Sequence, residues 1–285
     1  MIRLNDSRFY SRSLIMTAGP VRVLGITLLM LASFTARAHG QFRPVSAMKS
    51  NQASKRGLGS AGVLSGHVHV YNIFARDHFS DWNAEQKQTV LDKVQQAYRF
   101  LTEHCGQHGV KVKFTDESSA EVLCSHRIPI DTFVDPRWTE KVIGTAAGKS
   151  GNELVSWLRK ETSADHVLIC LHINKSALSY NLAVYDRVSD HFAAERMICF
   201  ASYPDDRPTA AATYAHEILH LFGAGDLYFP FDSGDERKKQ AAELFPHDVM
   251  YRVDYNLGRL NIGPFTAYRV GWTDELDPKH RFFED

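Results

Sequence analysis

The segment HEILHLFGAGD, His216 to Asp226, restricts the fold of this chain more than any other. Two histidines four residues apart share one face only if the backbone between them is helical. An acidic residue and a proline at Asp206-Arg207-Pro208 are good signals for the start of that helix. Gly223 should stop it, because glycine enters the left-handed conformation readily. The bend then lets Asp226 return toward the two imidazoles from the other side. Two imidazole nitrogens and a carboxylate suit zinc at about 2.0–2.1 Å and leave a fourth position for water, as in catalytic sites. Glu217, rotated about 100° from His216, falls beside such an ion as a base and not as a ligand. The bland alternative is an amphipathic helix with two satisfied histidines. Glycine and aspartate at fixed distances beyond it weigh against that.

Around this helix the pattern is mixed α/β. HVHVYNIFA, His67 to Ala75, alternates as a strand, with Val68, Val70 and Asn72 on one face. DWNAEQKQTVLDKVQQAYRFLTEHC reads as a long amphipathic helix that Asp81 or Asn83 can cap. VKVKFTD and AEVLCSHRIPI follow as strands, GNELVSWLRKET as a second helix, and DHVLICLHIN as a strongly apolar central strand. YNLAVYD and ERMICFASY are two more strands before the histidine helix. After it come a short helix in ERKKQAAELF, the stretch PHDVMYR, and a last helix in GPFTAYRVGW, whose Phe265, Tyr268 and Trp272 have the spacing of core residues.

Charge divides the chain unevenly. Residues 1–62 carry nine Lys/Arg and one acid, leaving 24 basic and 32 acidic residues from 63 onward, a formal net of −8. That excludes a basic nucleic-acid-binding surface as the organising feature. The basic start precedes the apolar run VLGITLLMLASF and then Ala36-Arg37-Ala38, the order of a secretory signal covering 1–38. An uncleaved anchor is the alternative, but Val23 to Phe34 is short of the roughly 20 residues that span a bilayer. We therefore expect a secreted or periplasmic protein with no stable membrane insertion after cleavage. Residues 39–62 read as a flexible linker or short pro-segment, and 63–285 as one domain. Cys105, Cys124, Cys170 and Cys199 all fall in that domain. In an oxidising compartment they permit two disulfides, with Cys105–Cys124 and Cys170–Cys199 favoured for closing short loops and free thiols as the alternative.

HEILHLFGAGD resembles the HExxHxxGxxH/D signature of the metzincin zinc peptidases, in the aspartate variant of the snapalysin group. The resemblance implies a mixed twisted sheet with two helices in an N-terminal lobe, an active-site helix, and a smaller irregular C-terminal lobe with a methionine turn and a final helix. It implies one catalytic zinc on His216, His220 and Asp226, Glu217 as general base and acid, and Met250 of HDVMYR beneath the metal. It also implies a protein or peptide substrate laid along the strand ERMICFASY. The chain departs from the pattern at position 252, an arginine where several metzincins have a tyrosine. Tyr251, Tyr255 or Tyr228 is left to assist the transition state, with Tyr251 the first candidate by position. His247 competes with Asp226 as third ligand.

Other features point to less. FDSGDE, Phe231 to Glu236, gathers acids around a glycine but lacks calcium-loop spacing, so a solvated loop is expected. His67, His69 and His78 lack acids at a ligand-set spacing. Two rival readings remain: an exported binding or toxin-like domain with purely structural zinc, and a zinc amidase acting on cell wall. A fourth protein ligand such as His247 would favour the first.

Overall fold

The computed structural model describes residues 59–131, 137–183, 194–228 and 234–284. In chain order its elements are β1 (Gly66–Arg76), α1 (Ala84–Gln107), β2 (Val112–Ser118), β3 (Val122–Leu123), α2 (Arg137–Ala147), α3 (Gly151–Thr162), β4 (His166–Ser176), β5 (Tyr180–Leu182), β6 (Arg196–Ser202), α4 (Ala211–Leu221), α5 (Gly234–Leu244) and α6 (Pro264–Arg269). The sheet runs β2-β1-β4-β6-β5, and β3 pairs with the end of β1. All pairings are parallel except β5 with β6, which is antiparallel. The result is a mixed, mostly parallel sheet with helices on both faces.

Burial follows from this order. Parallel strands covered on both sides must be apolar throughout, and Val167 to Ile173 of β4 are all buried. Alternate residues of β1 part to the two faces. Val68, Val70 and Phe74 join a cluster with Val94 and Leu101 of α1 and Tyr214 and Ile218 of α4. Tyr71, Ile73 and Ala75 join a second cluster with Val142 and Ile143 of α2 and Leu154 and Leu158 of α3. Asn83 caps α1 with a reciprocal pair of bonds to Gln86, 2.8 and 3.0 Å, and Ser150 does the same for α3 with Glu153. Helix α2 has no counterpart in the sequence reading. It buries only Thr139, Val142 and Ile143, too few for a clear period, and Glu140 and Thr139 receive the fully buried Arg196 at 2.5 and 3.0 Å.

Among the described residues no helix is long and apolar enough to cross a membrane. The expected signal segment and nearly all of the linker lie outside the described residues. Packed chain is present before Val63: Ser60 and Ala61 are buried, and Ala61 N donates to Glu195 Oε2 at 2.6 Å.

The cysteine pairing needs correction, since all four thiols are free. Cys105 belongs to the cluster on the α1 side and Cys124 packs against the one on the opposite face, so the sheet separates them. Cys170 and Cys199 do approach, with Sγ atoms 3.8 Å apart. However, Cys170 stands opposite Met197 and Cys199 opposite His172, a diagonal arrangement. Their sulfurs stay well beyond the roughly 2.05 Å of an S–S bond.

Where β1 ends, Asp77 accepts from Lys175 Nζ at 2.5 Å, Ile128 N at 2.6 Å and Phe79 N at 2.9 Å, tying β1, the stretch after β3 and β4 together. Burial would raise its carboxyl, but Lys175 and the backbone donors outweigh that and bring it down to about 2. The stabilisation is thus present above about pH 4 and lost as pH falls toward 2. Urea midpoints between pH 2 and 6 should drop more steeply for the parent than for Asp77→Asn. At pH 6 the variant should be weaker by about 1 kcal/mol, allowing for nearby solvent. Parallel pH profiles would contradict this.

Candidate metal centre

Every residue of α4 is buried. The helix begins at Ala211, later than Asp206-Arg207-Pro208 suggested. Asp206 instead adopts a left-handed φ of 65° in a turn closed by its N–H on Tyr203 O, 2.9 Å. The N-cap, Ala210, makes no side-chain cap bond. The Tyr203 phenol acts in its place, accepting from Ala210 N at 3.1 Å and bonding Thr213 Oγ1 at 2.7 Å. The far end is as expected: Gly223 has φ 102° and its N–H reaches His220 O at 3.0 Å.

Both imidazoles are held from behind. His216 Nδ1 donates to Val249 O and His220 Nδ1 to Ala224 O, each at 2.9 Å. A carbonyl can only accept, so each Nδ1 carries the proton and each neutral ring presents Nε2 as a lone pair. Those two Nε2 atoms are 3.0 Å apart, and Asp226 Oδ1 lies 3.1 and 3.3 Å from them. Oδ1 is buried with no hydrogen-bond donor. Three acceptors facing one another repel unless a proton or a cation stands among them. Ligand atoms in a tetrahedral zinc shell are about 3.3 Å apart, so the donor set and its spacing both fit that ion. Among the described residues this is the group of three His, Cys, Asp or Glu whose ligand atoms lie within 4.8 Å of one another.

Metal-free electrostatics reflect the same crowding. Burial opposes a charge on His216, but Asp226, Glu217 and the Val249 carbonyl more than compensate and raise it to about 9. Burial likewise works against an ionised Asp226, yet His220 and His216 hold it well below the ordinary carboxylate range.

Glu217 is buried beside the three and accepts from Asn181 Nδ2 of β5 at 3.2 Å. Met250 is fully buried; its carbonyl accepts from Leu227 N at 3.0 Å, anchoring the residue after Asp226. Tyr251 packs on the hydrophobic cluster, whereas the Tyr228 ring lies nearly parallel to that of His216, centroids 6.4 Å apart. Tyr255 meets Tyr203 instead, at 6.2 Å. His247 is exposed and outside the group of three. His67 and His69 share the Thr115 hydroxyl at 2.6 and 3.0 Å. In the calcium segment, residues 231–233 and the side chains of 234 and 235 lie outside the described residues.

The expected substrate edge needs correction: among the described residues β6 lies between β4 and β5, and β5 is the outer strand. Sequence reasoning also missed Asn181, Tyr203 and Asp248. The one available signal for Asp248 was an acid set among apolar residues in PHDVMYR. It is fully buried, accepting from Met250 N, Gly263 N and Thr266 Oγ1 at 2.7, 2.7 and 2.8 Å. Burial raises its carboxyl to about 6 despite those donors.

No family model and no curated protein matches the sequence. Among solved structures the chain is similar to metalloproteinase-II from Bacteroides fragilis, with 13% identity and a TM-score of 0.39. The likeness covers 79% of this chain and 59% of that one, so the chain spans about three-fifths of that protein's length.

Zinc needs both imidazoles neutral, so its binding must displace a proton from His216 below about pH 9. Apparent zinc affinity, measured by chelator competition, should rise between pH 6 and 9 by up to about tenfold per unit. A flat profile would contradict the assigned ligands.

Proposed function

We propose that this chain is an exported zinc-dependent endopeptidase of metzincin type, of the aspartate-ligand variant. The observation that carries the reading is the convergence of three acceptor atoms with both Nδ1 atoms turned to carbonyls. The arrangement favours a cation on His216, His220 and Asp226, with one carboxylate, Glu217, close by and outside the ligand group. A zinc ion there would supply a Lewis acid that polarises a carbonyl and makes water more acidic.

The chain's own residues then have distinct tasks. Glu217 takes the proton of the attacking water and passes it to the leaving amine nitrogen. Asn181 Nδ2 holds its Oε2 in place meanwhile. Tyr228 is better placed than Tyr251 to donate to the oxygen on which charge develops. Burial, with the charges of Asp226 and Glu217, keeps its phenol protonated well above the ordinary range. A peptide in extended form adds to β5 as a further strand, bringing its backbone past Asn181 and Glu217. Export to a secreted or periplasmic setting is supported by the basic, apolar and small-residue order of residues 1–38.

The non-catalytic zinc reading would gain from a closed shell of four protein ligands. The exposed position of His247 speaks against its supplying the fourth. The amidase reading keeps the same metal and base and differs in substrate. A peptide-library digest by the zinc-loaded domain, beside Glu217→Gln, separates them. The peptidase reading expects cleavage by the parent and a loss of at least about a hundredfold in the variant with zinc retained. Zinc occupancy without cleavage of any peptide supports the binding domain, and release of amides only from cell-wall fragments supports the amidase.

A further inference from the structure

We propose that Asp248 is a positioning residue of the metal centre: through the turn it organises, it sets the direction in which His216 presents Nε2. This inference rests on the zinc reading above. The Asp248 carboxylate gathers three uncharged donors. Oδ1 takes Met250 N at 2.7 Å, two residues on, closing a local turn over the intervening Val249. Oδ2 takes Gly263 N and Thr266 Oγ1 at 2.7 and 2.8 Å, from the start and middle of α6. Val249 sits inside that clasp. Its N–H donates to Asn261 O at 3.0 Å, and its carbonyl is the acceptor that orients the His216 ring at 2.9 Å. The Val249 peptide cannot rotate without breaking the Asp248–Met250 bond. Asp248 thus acts on the metal ligand through one intervening carbonyl.

Two further observations favour positioning over simple packing. Gly263 is required for the approach, because a Cβ there would lie 2.7 Å from Asp248 Oδ2. Helix α6 also reaches a second turn, the one that bears Asp226: Arg269 Nε donates to Gly223 O, 3.1 Å, in the bend that brings Asp226 back. One short helix therefore braces both turns from which the imidazoles and the carboxylate are aimed. A buried carboxylate is costly to keep, and replacing it with an apolar group often stabilises a protein. Fixing ligand geometry is a reason to retain it, since partners behind a ligating histidine tune its affinity by 10–100-fold.

The test measures zinc dissociation constants by chelator competition, and the visible spectrum of the cobalt-substituted protein, for the parent, Asp248→Asn, Thr266→Val and Leu158→Ala. Asparagine keeps the shape but turns one acceptor into a donor facing donors. Thr266→Val removes a single hydrogen bond and carries the test alone if Asp248→Asn does not fold. Leu158, buried in α3 within the cluster on the face of the sheet opposite α4, controls for lost stability. We expect Asp248→Asn to weaken zinc binding about tenfold, with a smaller shift for Thr266→Val and altered cobalt bands in both. Leu158→Ala should lower the thermal midpoint and leave zinc affinity unchanged. Unchanged affinity and spectra in the two turn variants, beside a zinc-binding parent, overturn the inference alone. A parent that binds no zinc overturns the metal reading itself.

Discussion

Two hydrogen bonds, from His216 Nδ1 to Val249 O and from His220 Nδ1 to Ala224 O, govern the chemistry of this centre. Each fixes a tautomer and leaves a lone pair pointing at the other and at Asp226. Turned around, either ring would donate from Nε2, and the three groups would satisfy one another as an ordinary buried cluster. With both protons committed behind, the cluster is instead a set of acceptors that only a proton or a metal ion relieves. Contacts from α6 support both of these carbonyls. One belongs to the turn clasped by Asp248, the other to the bend at Gly223 held by Arg269.

The sheet contributes differently. It presents α4 with an apolar floor, and Tyr98, Cys170, Cys199 and Tyr214 are buried in the cluster shared by sheet, α1 and α4. Complete burial of α4 keeps its polar side chains from water, which is why His216, Glu217 and His220 must each find a partner in the protein. Two do so through backbone carbonyls and the third through Asn181. The same sequence on an exposed helix would have its histidines solvated and no site.

What the sequence made legible was local. Helical spacing, a glycine stop and an aspartate three residues later are fixed by backbone geometry over eleven residues, and the structure brings His216, His220 and Asp226 together as that spacing required. What it left hidden depends on distant contacts. Asp248 has no recognisable role until Gly263 and Thr266, 15 and 18 residues on, meet it. The start of α4 was misplaced because a tyrosine phenol from the preceding turn takes the place of the usual capping side chain. Cys170 and Cys199 read as a pair by loop length, yet pairing register decides whether neighbouring thiols can join, and that register puts them on a diagonal. Helix α2 was missed because three buried positions carry little periodic signal. The edge was given to ERMICFASY on the family resemblance, and although YNLAVYD reads as a strand, nothing in its three paired residues says that it lies outside β6.

With β5 outermost, an added peptide strand would lie about 4.8 Å farther out than β5, in the hydrogen-bonding direction. Along β5, side chains alternate between faces. Tyr180 and Leu182 pack on the cluster shared with α2 and α3, while Asn181, between them, turns the other way and reaches Glu217. Glu217, the proposed base, is therefore tied to the strand proposed to carry the substrate, and not to the proposed metal ligands. A shift of β5 along its neighbour would carry Asn181 away from Glu217, so on the proposed mechanism register in this three-residue strand would couple proton transfer to substrate alignment. Asp226, held by the imidazoles and the glycine bend, is untouched by such a shift. Two carboxylates nine residues apart in sequence are thereby separated in role: one answers to the metal site, the other to the sheet edge.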